Sequence, residues 1–163
     1  MKNIIKSGVD VGDVKGKVGE VNFFYYNNRR FALIGLGDKE KVTSEVVRLA
    51  TGSAIRAAIT KKAKTVTVDC FCSELDSCQA MGEGAVLGSY QFIDYKTNSI
   101  DSFIVEEVSI NGCNDQGLNK GVAIGNAICF ARDLGNHPGN ISTPTYLANA
   151  AEENSNLGSL DSL

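Results

Sequence analysis

Five cysteines, a single histidine and two closely spaced glycines are the residues of this 163-residue chain whose types and spacing could do chemistry. Cys70, Cys72 and Cys78 form a C-x-C-x5-C run, and Cys113 or His137 could complete four ligands for a metal ion. That spacing is neither a zinc-finger nor a zinc-knuckle pattern, and cysteine at the end of an apolar strand packs as a small hydrophobe. Buried thiols are the simpler reading, and no metal ligand is assigned. His137 has no serine or cysteine motif beside it to activate, and its place before Pro138 favours a conformational role. Gly35-x-Gly37 stands between a strand-like and a helical run, where a helix N-terminus could attract a phosphate. Lys39-Glu40 stands where a dinucleotide fingerprint needs its third glycine, and Asp38 and Glu40 add negative charge. The acidic pairs Glu106-Glu107 and Glu152-Glu153 are adjacent, so their side chains diverge and suit solvated surface. The chain is thus expected to hold no catalytic, cofactor-binding or metal-binding residue of its own.

The elements that would position these residues follow from periodicity. Lys2–Ser7 reads as a short strand and Gly8–Gly19 as a glycine-rich loop. Glu20–Tyr26 and Arg30–Leu36 read as strands joined by a hairpin turn at Asn27-Asn28. Thr43 or Ser44 can cap a helix reaching about Lys62, with Val47, Ala50, Thr51, Ala54, Ile55, Ala58 and Ile59 along one side. Lys61, Lys62 and Lys64 complement the negative end of its dipole. Thr65–Cys72 is a strand, and Leu75–Tyr90 a helix in which Gly84-x-x-x-Gly88 permits close packing on the sheet. Tyr90–Tyr95 and Phe103–Ile110 read as strands with a turn at Thr97-Asn98-Ser99, and Asp115 caps a helix running to Leu134 with Gly121 and Gly125 four apart. Beyond it, Pro138 stiffens an elbow, Gly135 and Gly139 supply left-handed turns, and Thr143-Pro144 opens another helix. The interleaving predicts an α/β fold, a mixed sheet of about five strands flanked by helices.

Net charge is −3 without a basic block, which gives nucleic-acid binding no electrostatic support. No apolar run approaches the ~18–20 residues that span a bilayer, and the N-terminus lacks the apolar core of a secretory signal. An odd cysteine count without framework spacing fits reduced thiols and a cytoplasmic setting.

Three stretches carry a family resemblance: Ala131–Ala148 (ARDLGNHPGNISTPTYLA), Gly35-Leu36-Gly37, and Glu83–Tyr90 (EGAVLGSY) with Lys96 shortly after. Together they resemble the leucyl (cytosol) aminopeptidases over Val21–Ala151, at the junction where an N-terminal α/β domain meets the catalytic domain. The resemblance implies a non-catalytic α/β domain, macro-domain-like in fold, over residues 1–134. Residues 135–163 would be a linker and the start of the catalytic domain. It further implies a cytoplasmic homohexamer in which two zinc or manganese ions cleave N-terminal residues from peptides. The family's metal-binding run, similar to N-T-D-A-E-G-R, has no counterpart here, so the chain alone is expected to be inactive and to act in packing and assembly. Thr143, Pro144, Tyr146 and Leu147 would dock on the catalytic core; in its absence, pairing with another copy is expected. The alternative is a macro-like module binding ADP-ribose or phosphate at Gly35–Asp38. A DNA-contacting role is disfavoured by the acidic balance.

Overall fold

A computed structural model describes residues 2–71, 74–95 and 103–157. In chain order it contains α1 (Lys2–Asp10), β1 (Val21–Tyr26), β2 (Arg29–Ile34), a 3-10 turn (Lys39–Lys41), α2 (Ser44–Thr60), β3 (Thr65–Asp69), α3 (Leu75–Ser89), β4 (Glu107–Asn111), α4 (Asp115–Asn136) and α5 (Pro144–Leu157). The class is mixed α/β, as the interleaving predicts. The single sheet of about five strands is not what forms: the four strands among the described residues make two pairs, β1–β2 antiparallel and β3–β4 parallel. Strands β2 and β3 face one another across a cleft of about 680 Å³, lined in part by Phe31, Leu33, Val66 and Phe71.

Local chemistry explains most elements. Asn27 and Asn28 both take positive φ, 48° and 56°, the mirror-image turn whose twist suits a two-residue hairpin. Thr43 caps α2, its hydroxyl accepting from the Val46 amide at 3.4 Å. Val47, Ala50, Thr51, Ala54, Ile55 and Ala58 of α2 are buried, as their helical spacing predicts. The helix closes with the Ala63 amide on the Ala58 carbonyl (3.0 Å) and the Lys62 amide on the Ile59 carbonyl (2.9 Å). That closure is a Schellman motif with Lys62 in the left-handed position at φ 52°.

Several local expectations are corrected. Lys2–Ser7 is helical rather than a strand: Ile5 and Gly8 are half-buried, three apart, and Gly8 faces the Phe24 ring of β1. Tyr90–Tyr95 forms no strand; its side chains are used as ties instead, the Tyr90 hydroxyl donating to Asp133 at 2.7 Å and the Gln91 side-chain amide to the Phe103 carbonyl at 2.8 Å. β4 begins at Glu107 rather than Phe103, since its partner β3 begins at Thr65, opposite Glu107. Asn114, not Asp115, caps α4, accepting from the Gly117 amide at 3.1 Å. That helix then runs through Gly135 to Asn136, and the extended His137 (φ −69°, ψ 136°) before Pro138 stops it. Neither Gly135 nor Gly139 is left-handed. The turn expected at Thr97-Asn98-Ser99 and residue Cys72 lie outside the described residues.

The core is built on Val47, Ile55, Val68, Ala80, Met81 and Ala85, with Val66, Cys70, Val108, Ile110 and Cys113 packed against it. Helix α3 lies between α2 and α4 at backbone contact. A β-carbon at Gly88 would sit 2.7 Å from the Gly52 carbonyl oxygen of α2, and one at Gly82 would sit 2.6 Å from the Leu118 carbonyl oxygen of α4. The glycine pair at 84 and 88 therefore serves helix–helix packing, not the sheet contact expected from sequence.

Candidate functional site

The Gly35–Asp38 loop is committed to structure. Gly35 donates its amide to the Glu20 carbonyl (2.8 Å), and Gly37 donates to the Gly16 carbonyl (2.8 Å). A β-carbon on Gly35 would strike the Lys17 carbonyl, so glycine is required there by the neighbouring loop. Asp38 accepts from the Glu40 amide at 3.2 Å and pairs with Lys41 at 3.6 Å. The Gly35, Gly37 and Glu40 amides are thus taken by the protein and are not offered to a phosphate. The neighbouring loop is pinned by Glu20, whose carboxylate accepts from the Lys15 and Lys17 amides at 3.0 Å each and from Asn22 at 2.9 Å. These bonds, that from Lys15 first, pull its pKa from 4.5 to about 2.

His137 sits in an aromatic cluster at the elbow. Its ring lies 5.4 Å from those of Phe92 and Tyr146 and 5.8 Å from that of Tyr95, edge-on in each case. Its Nδ1 is 2.7 Å from the Tyr95 hydroxyl. The Tyr90 hydroxyl, accepting from Asn136 at 2.9 Å, ties the end of α4 to the residue after α3. His137 thus fixes the exit of α5, and it is far from serving the cysteines as a ligand.

Among the described residues the carboxylates do not gather. Glu83, buried between α2 and α3, pairs with Arg48 at 3.2 Å and accepts from Gln79 at 2.8 Å, while Arg48 also holds Glu45. Glu106 pairs with Lys64 at 2.9 Å, and Glu107 accepts from the Ser109 hydroxyl at 3.1 Å. A two-metal hydrolytic centre needs several carboxylates on one pair of ions, and the acidic residues just named do not fit it.

Three thiols do converge. The sulfurs of Cys70, Cys78 and Cys113 all lie within 4.8 Å of one another, the group among the described residues that could hold an ion. They come from the end of β3, the first turn of α3 and the link between β4 and α4. Cys70 and Cys113 are 3.1 Å apart, well beyond the ~2.05 Å of a disulfide bond. The Met81 sulfur is 3.7 Å from that of Cys113, and the Asn114 amide donates to Cys78 at 3.1 Å. Burial, followed by hydrogen bonds to Cys70 and Cys78, pushes the Cys113 thiol well above its ordinary range. The C-x-C-x5-C spacing pointed at Cys70 and Cys78, and Cys113 was one of two candidates for a further ligand. Met81 was missed, although its place three residues after Cys78 puts both on one helix face.

Comparison with known proteins places this geometry. The sequence pattern of the cytosol aminopeptidase family, N-terminal domain, matches residues 1–99. The chain belongs to that family of hydrolases. A probable cytosol aminopeptidase of Aquifex aeolicus (strain VF5) is 32% identical over 93% of this chain and 32% of its own length. The cytosol aminopeptidase of Dictyostelium discoideum is 32% identical over 88% of this chain and 30% of its own. Among solved structures, the bottromycin maturation enzyme BotP in complex with Mn superposes with a TM-score of 0.78 at 25% identity, covering 93% of this chain and 33% of that one. A mutant tomato leucine aminopeptidase shares the fold at a TM-score of 0.81 and 21% identity, over 96% of this chain and 33% of its own. The chain therefore spans about a third of the length of the relatives it matches. Neither these matches nor the Gly35–Asp38 geometry supports the macro-like ligand-binding alternative.

Proposed function

We propose that this chain is the scaffold part of a two-metal leucyl aminopeptidase, a cytoplasmic hexamer in which zinc or manganese ions held by another domain cleave N-terminal residues from peptides. On this reading residues 1–134 are the non-catalytic domain, and residues 135–163 are the linker and first helix of the catalytic one. The observation that carries it is the family match combined with coverage of about a third of each relative. The elbow supports it physically. Helix α5 leaves α4 at an angle fixed by His137, Tyr95 and Tyr146, and among its described residues it buries Ala150 while leaving Leu147 41% exposed. A short helix so lightly covered gains stability by packing on a second body, either the catalytic core or another copy. The test is a chimera in which this chain replaces the matched third of the Aquifex aeolicus relative. Metal-dependent hydrolysis of leucyl p-nitroanilide by the folded chimera is expected, weakened by Leu147→Glu. A folded chimera without activity would count against the reading.

A further inference from the structure

The three thiols at the ends of β3 and β4 are held in place by the fold rather than by chance proximity. Strands β3 and β4 run parallel with Asp69 opposite Asn111, and the Cys70 amide donates to the Asn111 carbonyl at 2.9 Å, extending the ladder by one bond. Gly112, at φ 78°, then turns the chain so that Cys113 comes back over Cys70. From the other side, α4 approaches α3 so closely that a β-carbon on Gly117 would lie 3.0 Å from the Cys78 β-carbon and 2.6 Å from the Leu75 carbonyl oxygen. Cys78 and Met81 are both fully buried, at 0% exposure, whereas Cys70 and Cys113 are half-buried at the mouth. The cluster therefore has a closed floor and an open side by which an ion can enter.

We propose that Cys70, Cys78 and Cys113 bind one thiophilic d10 metal ion, Cu⁺ or Zn²⁺. The donor set is the first argument. Three cysteine sulfurs with a methionine sulfur beside them form a soft environment that selects such ions over magnesium, calcium or manganese. Distance is the second argument. With metal–sulfur bonds of about 2.3 Å, neighbouring thiolates around one ion stand roughly 3.8–4.0 Å apart. The observed sulfurs, 3.1 Å apart at Cys70–Cys113 and all within 4.8 Å, reach that arrangement by shifts under about 1 Å. The third is the Asn114 amide, which donates to the Cys78 sulfur at the N-terminal end of α4. An N–H aimed at a ligand sulfur, reinforced by the positive end of a helix, stabilises thiolate charge as outer-shell donors do in metal sites. On binding, each thiol loses its proton to solvent as its sulfur bonds the ion, so no oxidant or reductant is required.

The test uses the 163-residue chain carrying Cys72→Ser and Cys129→Ser, so that the three clustered thiols are the remaining cysteines. The reduced protein is titrated without oxygen, in one arm with Zn²⁺ and in the other with Cu⁺ under chelator competition. Metal content and the ultraviolet thiolate-to-metal band are recorded, together with protection of each thiol from iodoacetamide. We expect one equivalent of at least one of the two ions per chain, with all three thiols protected. The ion held more tightly identifies the preferred metal. Cys70→Ser and Cys113→Ser, at the half-buried mouth, should each weaken binding at least ~10-fold while circular dichroism shows an intact fold. Retention of neither ion, or a band undiminished in both variants, overturns the proposal. So does a chain that readily forms a Cys70–Cys113 disulfide and binds no metal when reduced.

Discussion

Gly121→Ala probes the contact on which the helical layer depends. A β-carbon at this position of α4 would run into the Gln79 carbonyl oxygen of α3, with the Gln79 carbonyl carbon at 2.8 Å and its Cα at 3.0 Å. All three are backbone atoms, so no side-chain rotation relieves the clash and the helices must separate. Helix propensity alone favours alanine over glycine by about 1 kcal/mol. Overpacking a close contact costs about 1–3 kcal/mol, and here the upper part of that range applies, because Gly117 and Gly125 hold the same pair of helices together. The net destabilisation is about 1–2 kcal/mol, a fall in Tm of roughly 2–8 °C for a chain of this length. Gly135→Ala, in the last turn of the same helix, is the matched control. No atom lies within 4 Å of its β-carbon, so propensity acts unopposed and stability rises by about 0.5 kcal/mol. Thermal unfolding followed by circular dichroism reads both. A Gly121→Ala protein as stable as the parent would refute the reasoning.

Three further outcomes follow from the geometry. Glu20 has its pKa lowered to about 2 by the Lys15, Asn22 and Lys17 donors, so its contribution is complete above about 4.5 and disappears as pH falls toward about 2. The Tm difference between parent and Glu20→Gln should be present at neutral pH and close as pH drops through that window; a constant difference would contradict it. Arg48→Met leaves the Glu83 carboxylate buried with its hydrogen bond from Gln79 but without its ion-pair partner, and should cost about 1–3 kcal/mol by urea unfolding, less than a fully buried pair because Arg48 is partly exposed. Adding Glu83→Met to that variant should recover much of the loss. Lys62→Gly relieves a left-handed non-glycine residue in the Schellman closure of α2, and the same assay should show a gain of up to about 1 kcal/mol.

What could be read from the sequence was what local chemistry decides. The Thr43 cap, the apolar side of α2 and the Asn27-Asn28 hairpin each rest on a few neighbouring residues, and each formed. Lys2–Ser7 failed because a short run with two adjacent isoleucines fits a period of two and of 3.6 alike, and the chain takes the helical one. Glycines spaced four apart announced close packing but not its partner, which proved to be α2 for Gly88. The thiol cluster required knowing that β3 and β4 are parallel neighbours in register, a long-range fact that brings together Cys70 and Cys113, 43 residues apart in sequence. Likewise nothing local tells that the Gly35 and Gly37 amides are taken by the loop before β1.

The central claim is that this chain supplies shape and contact while the chemistry belongs to another domain. Its most direct test is hydrolysis of leucyl p-nitroanilide by the purified 163-residue chain, with Mn²⁺ or Zn²⁺ added in excess. The account predicts no release of p-nitroaniline above the metal-only blank at any protein concentration. Release that scales with the amount of chain and stops on chelation would contradict it.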